Sequence, residues 1–283
     1  MRIRAGKTAA STSAGVAVST IESWSTAEIG DAAVATVRCV VAIPGGVALG
    51  SDYGLTLWRD GAFVPFPWPA GSRREARRVE AMAVHDGALH VGTSATAYRW
   101  NFSNAPTFRK HGQDEEGGWD ELFCMLSFGG TLYAGWRTKL EGASGPADVI
   151  SLCAGNGVVY AGTRAGGLYA VHNGVAEEVR RFEKGKGRPV RHLAWAGGCL
   201  WVAAADALHR WDGSTWESRG GEPTAFTTDA SGKLWSLGEG KLWREEAGWL
   251  RPVPTSVVRP WSLAATADAL WIGGKERVWR VRV

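Results

Sequence analysis

The chain has 283 residues, 45% of them hydrophobic and 21% charged, with 38 glycines and 16 tryptophans. That apolar content supplies a core and excludes disorder, and no apolar run reaches the roughly 18 residues that a membrane-crossing helix needs. A net charge of +4 is too mild to imply nucleic acid by itself, and glycine at this density, at about 1 kcal/mol per helix-interior site, excludes a helical bundle.

The N-terminus is basic, Met1-Arg-Ile-Arg-Ala-Gly-Lys7, with no acid before Glu22. Gly15-Val-Ala-Val18 is too short for the apolar stretch of an export signal, so a cytoplasmic protein is expected. Val16 to Trp24 reads as a strand ahead of everything that repeats. One unit then recurs: an apolar strand, a turn, a second strand such as Leu-Trp-Val, a Gly, and a third strand ending in an aromatic. The turn falls at Gly46, Gly87, Gly130, Gly157, Gly198, Gly232 and Asp268, with spacings of 41, 43, 27, 41, 34 and 36 residues. A four-stranded propeller blade repeats at roughly 40 residues.

First strands are read at 38–42, 80–85, 122–126, 150–154, 191–195, 225–229 and 261–265. Second strands such as Leu200-Trp201-Val202, Leu234-Trp235-Ser236 and Leu270-Trp271-Ile272 are apolar almost throughout, as strands buried on both faces are. The glycine that follows (Gly50, Gly92, Gly135, Gly162, Gly238, Gly273) is read as allowing a tight turn into the third strand. Third strands begin at Leu55, Ala97, Leu168, Leu208, Leu242 and Val278. Asp60-Gly61, Asn173-Gly174 and Asp212-Gly213 predict hairpins into outer strands, two of which carry Trp216 and Trp249. The units run 36–79, 80–120, 121–148, 149–190, 191–222, 223–258 and 259–283, in one domain covering 1–283. The third unit is short, with little room between Arg137 and Val149 for two regular outer strands; it is either a degenerate sheet or a gap for a partner.

Such units cannot bury their faces alone and must stack radially. The last has three strands, while the segment at 10–35 has no blade of its own. Setting Trp24 where Trp216 sits completes the seventh sheet with the N-terminal strand and removes the edges between the ends. The expected fold is all-β, a seven-bladed β-propeller, with six or eight blades as the adjoining solutions. Asp86-Gly-Ala-Leu-His-Val-Gly-Thr93, Asn156-Gly-Val-Val-Tyr-Ala-Gly-Thr163 and Ser231-Gly-Lys-Leu-Trp-Ser-Leu-Gly238 resemble the blades of two-component-regulator propellers and, more loosely, of WD40 propellers. The resemblance spans nearly the whole chain and implies fold rather than task, since propellers serve as scaffolds, lectins, lyases and hydrolases. The Gly-His and Trp-Asp pairs of WD40 blades do not recur from unit to unit; Trp211-Asp212 is one instance.

Cys39, Cys124, Cys153 and Cys199 lie in separate apolar strands without paired spacing, which reads as buried thiols in a reducing compartment rather than a metal site or disulfide framework. No G-x-S-x-G, H-E-x-x-H or P-loop sequence occurs. First strands and their approaches would line a central channel, where His85, His192 and Asp229 are the polar candidates, joined by Arg38, Glu80 and Arg191. Their heights relative to the turn differ, so no acid–base pair is indicated, and neither catalysis nor a cofactor is expected. Charge is more telling. Arg73, Arg74, Arg77 and Arg78, and then Arg180, Arg181, Lys184, Lys186, Arg188 and Arg191, fall between units on one face, opposed by an acidic run at 114–121. The expectation is a non-enzymatic protein–protein interaction module, docking an acidic protein surface through a basic loop face. Nucleic acid is disfavoured because the acidic run repels phosphate. A small-molecule- or glycan-binding propeller, or a channel-centred lyase or hydrolase, is the alternative. The likeness extends by analogy to accessory propellers of larger bacterial assemblies.

Overall fold

The structure, a computed structural model, describes residues 20–25, 27–29, 36–66, 68, 78–93, 97–102, 107–109, 121–182, 188–204, 207–221, 223–246, 248–257 and 260–282. Every element among them is a strand. Strand β1 (Thr20–Ser25) precedes the first blade, formed by β2 (Val37–Ile43), β3 (Gly46–Ser51), β4 (Leu55–Arg59) and β5 (Ala62–Pro65). The second blade is β6 (Val79–His85), β7 (Ala88–Thr93), β8 (Ala97–Trp100) and β9 (Thr107–Arg109). The third is β10 (Leu122–Phe128), β11 (Thr131–Trp136) and β12 (Leu140–Glu141); the fourth is β13 (Val149–Gly155), β14 (Val158–Thr163), β15 (Gly167–His172) and β16 (Val175–Arg181). The fifth is β17 (Val190–Ala196), β18 (Cys199–Ala204), β19 (Ala207–Trp211) and β20 (Trp216–Gly220); the sixth is β21 (Pro223–Thr228), β22 (Leu234–Gly238), β23 (Lys241–Glu246) and β24 (Trp249–Val253). The seventh is β25 (Pro260–Ala265), β26 (Ala269–Gly274) and β27 (Arg277–Arg282), completed by β1.

Seven antiparallel sheets of this order make the chain a seven-bladed β-propeller. It divides into two compact units, one holding blades 6, 7 and 1 (Met1–Phe66 with Thr224–Val283), the other blades 2 to 5 (Pro67–Pro223). In the three-blade unit β1 pairs with β27 along six residues, from Thr20 opposite Arg282 to Ser25 opposite Arg277. The register corrects one expectation. Leu200 faces Trp211, which faces Trp216; in blade 7 Leu270 faces Val281, which faces Ile21. Ile21, not Trp24, therefore takes the place of Trp216. Trp24 lies three residues further along, where its ring stacks on Trp271 and meets Trp58 and Phe63 of blade 1. Two aromatic side chains from the neighbouring blade reward that position more than a place beside Val281 would.

The second-strand glycines also have a different purpose from the one read in the sequence. They lie inside β3, β7, β11, β14, β22 and β26, not at turns. A Cβ on Gly135 would strike the Val149 carbonyl and Cys124; on Gly162, Ser151 and Val190; on Gly273, Ser262 and Val37. In each case the obstruction includes the first residue of the next blade's inner strand. Glycine is thus required by close approach between blades, not by turn conformation. True turns show the left-handed backbone: Asp60-Gly61 has φ of 51° and 77°, and Asn173-Gly174 has 50° and 76°.

Six inner strands carry the same irregularity, opposite a glycine in five of them and, for β17, opposite Ala203. The register shifts between Val37 and Cys39, Val79 and Ala81, Leu122 and Cys124, Val149 and Ser151, Val190 and His192, and Pro260 and Ser262. The skipped residues are Arg38, Glu80, Phe123, Ile150, Arg191 and Trp261. A bulge of this kind re-aims a side chain and strengthens the local twist. The residue after it ties the blade to its neighbour: Ser151 Oγ donates to the Val190 carbonyl at 2.7 Å, and Ser262 Oγ donates to the Val37 carbonyl at 2.9 Å.

Blade 3 is the degenerate sheet. Its third strand has two residues and no fourth follows. Ser144 instead bridges to Val175 of blade 4, donating its N–H to the Gly174 carbonyl at 2.7 Å and accepting from Ala176 N at 2.8 Å.

Candidate functional site

Inner strands begin at one end of a blade, the leading end, and run to the first turn at the other. In the three-blade unit the leading end holds a cavity of about 480 Å³ lined by Thr36, Thr224, Gly240, Val257, Pro260, Trp261 and Lys275. Five of these seven lining residues are placed by strand starts or the β26–β27 link. Pro260 and Trp261 open β25, Thr224 opens β21, and Thr36 bridges Lys275 in the link between β26 and β27. The Thr224 hydroxyl is held by the Leu237 carbonyl at 3.3 Å. Trp261 is the bulged residue of β25 and is 54% exposed. Tyr53, 41% exposed between β3 and β4, stands at the same end of the same unit. Among the described residues the other large exposed apolar side chains are Val64 and Val175, both on outer strands. The two exposed aromatics therefore share one end of one unit.

The bulged position gains weight from comparison among the blades. The residue before it is Val, Leu or Pro and buried at every register shift, and Val37, Leu122, Val149 and Val190 fill the space left by a glycine of the preceding blade. The bulged residue itself is Arg, Glu, Phe, Ile, Arg or Trp. Packing dictates the first position and leaves the second free to carry recognition chemistry.

The candidates read from sequence fare differently. Asp229 lies past β21 in the turn, not in the inner strand as expected. Its carboxylate accepts from Ser231 N at 2.9 Å, Ser231 Oγ at 2.6 Å, Lys233 N at 3.1 Å and Trp235 Nε1 at 2.7 Å. Burial pushes this carboxyl up, but the donated hydrogen bonds together hold it below the usual carboxylate range. It is a turn clamp. His192 follows the β17 bulge, and burial, helped by Arg191, pulls its imidazole down to about 4. His85 ends β6, at the opposite end of its strand from the bulge. Its Nδ1 lies 3.0 Å from Ser127 Oγ of blade 3 and its Nε2 3.4 Å from Asp86. That is a hydroxyl–imidazole–carboxylate series, with His85 13% and Asp86 73% exposed. His85 and His192 are not brought together, since they stand at opposite ends of their inner strands.

Of the basic residues, Arg73, Arg74, Arg77, Lys184 and Lys186 lie outside the described residues. Arg78 pairs with Glu80 at 2.6 Å. Arg180 and Arg181 belong to the outer strand β16 rather than to a loop, because the ladder with β15 continues to Gly167 opposite Arg181. Arg181 is bound to Glu178 and reaches Tyr169 Oη at 3.3 Å, and Arg180 lies 4.5 Å from the Trp216 ring centroid. Arg188 precedes β17 and Arg191 is its bulged residue. Several of these charges are thus already engaged within the fold. No group of three His, Cys, Asp or Glu side chains suited to a metal occurs among the described residues. All four cysteines are free thiols, and burial pushes Cys124 up to about 12.

Sequence reasoning missed Trp261 and Tyr53 because tryptophans here recur at buried repeat positions. The signal available was that Trp261 occupies a first strand, where no other blade has a tryptophan at the equivalent place.

Comparison with known proteins agrees on the fold. The extracellular domain of a B. thetaiotaomicron protein assigned to a one-component system superposes with a TM-score of 0.70 at 17% identity, over 89% of this chain and 39% of that one. The chain therefore spans well under half the length of that relative. Virginiamycin B lyase from Staphylococcus aureus, as an inactive variant with quinupristin, gives 0.73 at 11% identity, over 93% of this chain and 99% of that one. The WD40 propeller domain of Doa1 gives 0.62 at 14% identity, over 88% and 93%. No protein-family model and no curated protein matches the chain. The chain is similar to the one-component-system domain, the WD40 propeller and the lyase alike, and the likeness is one of architecture.

Proposed function

We propose that this propeller is a protein-interaction module that docks a partner on the leading end of blades 6, 7 and 1. The observation that carries this reading is Trp261, re-aimed by a bulge to stand half out of an apolar cavity of about 480 Å³. Large exposed aromatics in concave, mostly apolar surroundings are the anchors of interfaces. Lys275, an exposed residue of the cavity lining, favours a partner that surrounds its apolar contact with acids. Four free thiols support a reducing compartment for the protein.

The test is capture of a partner, identified and then reconstituted in pure form, by the wild type and by Trp261→Ala. Loss of binding in a variant with unchanged melting temperature supports the reading. Retained binding in Trp261→Ala removes it. A hydrolytic reading rests on the Ser127–His85–Asp86 series. Fluorophosphonate labelling of Ser127 that disappears in His85→Ala would favour it, and an unlabelled Ser127 leaves that contact as a strut between blades 2 and 3.

A further inference from the structure

Three blades share a device that strand pairing alone does not require. A second-strand Trp faces a third-strand Arg in register at Trp201 and Arg210, Trp235 and Arg244, and Trp271 and Arg280. Each guanidinium lies over its indole, 5.9, 5.1 and 5.6 Å from the ring centroid. The register continues to the outer strand. In blade 5 Arg210 meets Glu217 at 3.4 Å, and in blade 7 Arg280 meets Glu22 at 3.6 Å. In blade 6 the same place holds Arg251.

Two like charges thus stand directly opposite across β23 and β24, which disfavours the ladder. Arg251 is exposed and Arg244 half-buried, with its Nε buried and without a hydrogen-bond partner. The Nε of Arg210 and of Arg280 is in the same condition, so the missing carboxylate is what sets blade 6 apart. Neither Arg244 nor Arg251 forms an ion pair among the described residues. The acids nearby are otherwise disposed. Asp229 holds the Trp235 indole, and Glu245 accepts from Gly248 N at 2.7 Å. Glu246, two residues along the same face of β23, pairs with neither arginine.

We propose that Arg244 and Arg251 receive a carboxylate from an acidic segment of a partner protein. It completes in blade 6 the Trp–Arg–carboxylate stack that blades 5 and 7 complete from their own residues. The guanidinium fork of Arg244, steadied by Trp235, presents the planar donors that a carboxylate accepts in pairs, and Arg251 closes over it from the solvent side. The site is separate from the Trp261 cavity and does not depend on it.

Hexaglutamate is the probe, added to the whole protein at low ionic strength, with melting temperature as the readout. The wild type is stabilised by the peptide. Arg251→Glu, which supplies the acid found in the equivalent places, melts about 2 °C higher without peptide and loses the peptide response. Arg251→Gln loses the response without that gain, and Trp261→Ala keeps it, so failure of this site and failure of the docking reading are distinguishable. Equal peptide shifts in the wild type and Arg251→Glu overturn the proposal. So does a response to inorganic phosphate at matched ionic strength with none to hexaglutamate.

Discussion

Asp229→Ala tests whether this aspartate is a strut or a reactive group. The substitution deletes four hydrogen bonds at the β21–β22 turn. Ser231 is exposed, so its two donors turn to water, at about 1 kcal/mol each. The Trp235 indole N–H has no such recourse, since that side chain is fully buried, and leaving it unpaired costs about 1–3 kcal/mol. With about 1 kcal/mol more for the Lys233 N–H, the total is about 5 kcal/mol. An unfolding entropy of about 2.1 cal/mol/K per residue over the 283 residues converts this to a melting temperature lower by about 8 °C. Asp229→Asn keeps an acceptor at Oδ1 and loses less than half as much. The pH dependence has a definite sign. A carboxyl depressed in the native state contributes stability above its unfolded value, near 3.9, and that contribution is lost as pH falls through the lower native value. Scanning calorimetry at pH 7 and pH 3 should therefore show a wide gap between wild type and Asp229→Ala that narrows in acid. A variant melting within a degree of wild type at pH 7 refutes the clamp.

Gly162→Ala sets a methyl against Ser151 and the Val190 side chain and should lower the unfolding free energy by about 2–3 kcal/mol, read from the urea midpoint. Alanine at an uncrowded strand position would do the reverse. Trp24→Ala empties the place between Trp58, Phe63 and Trp271 and should cost about 3–5 kcal/mol, with amide exchange quickening along β27. His192 stays neutral in the fold until about pH 4, while the unfolded chain takes up its proton near 6.5. Stability from this residue is therefore complete above 6.5 and declines down to about pH 4, by up to about 3 kcal/mol. His192→Gln should flatten that part of the profile in stability measured at successive pH values.

Blade number, strand order and the β1–β27 pairing were legible because they rest on period and on turn chemistry. Asp60-Gly61 and Asn173-Gly174 declare their conformation in two letters, and an unpaired strand at each end of a repeat has one economical solution. What stayed hidden depends on side-chain direction. A single bulged residue leaves the apolar run of Val149 to Ala154 or Pro260 to Ala265 looking unbroken, yet it decides that Trp261 faces water and Ser262 faces the next blade. The purpose of Gly135, Gly162 and Gly273 was hidden for a related reason: the atoms that exclude a Cβ belong to the following blade. Arg180 and Arg181 looked like loop charges because nothing in their sequence marks where β16 stops; the ladder to Gly167 carries the strand on. The Arg251 anomaly becomes visible only once register aligns it with Glu217 and Glu22.

Sharing one sheet between β1 and β27 sets a timetable on the ribosome. At about 5–20 residues per second, Ser25 is made on the order of ten to fifty seconds before its partner Arg277. Through that interval Ile21 and Trp24, which end up buried, sit on a nascent strand whose backbone donors and acceptors have no ladder to join. Slow synthesis lengthens this exposure, and a circular permutant that moves residues 20–25 behind β27 abolishes it. The clasp that joins the far ends of the described chain thus makes the earliest of the described strands to be synthesised among the last to find its place.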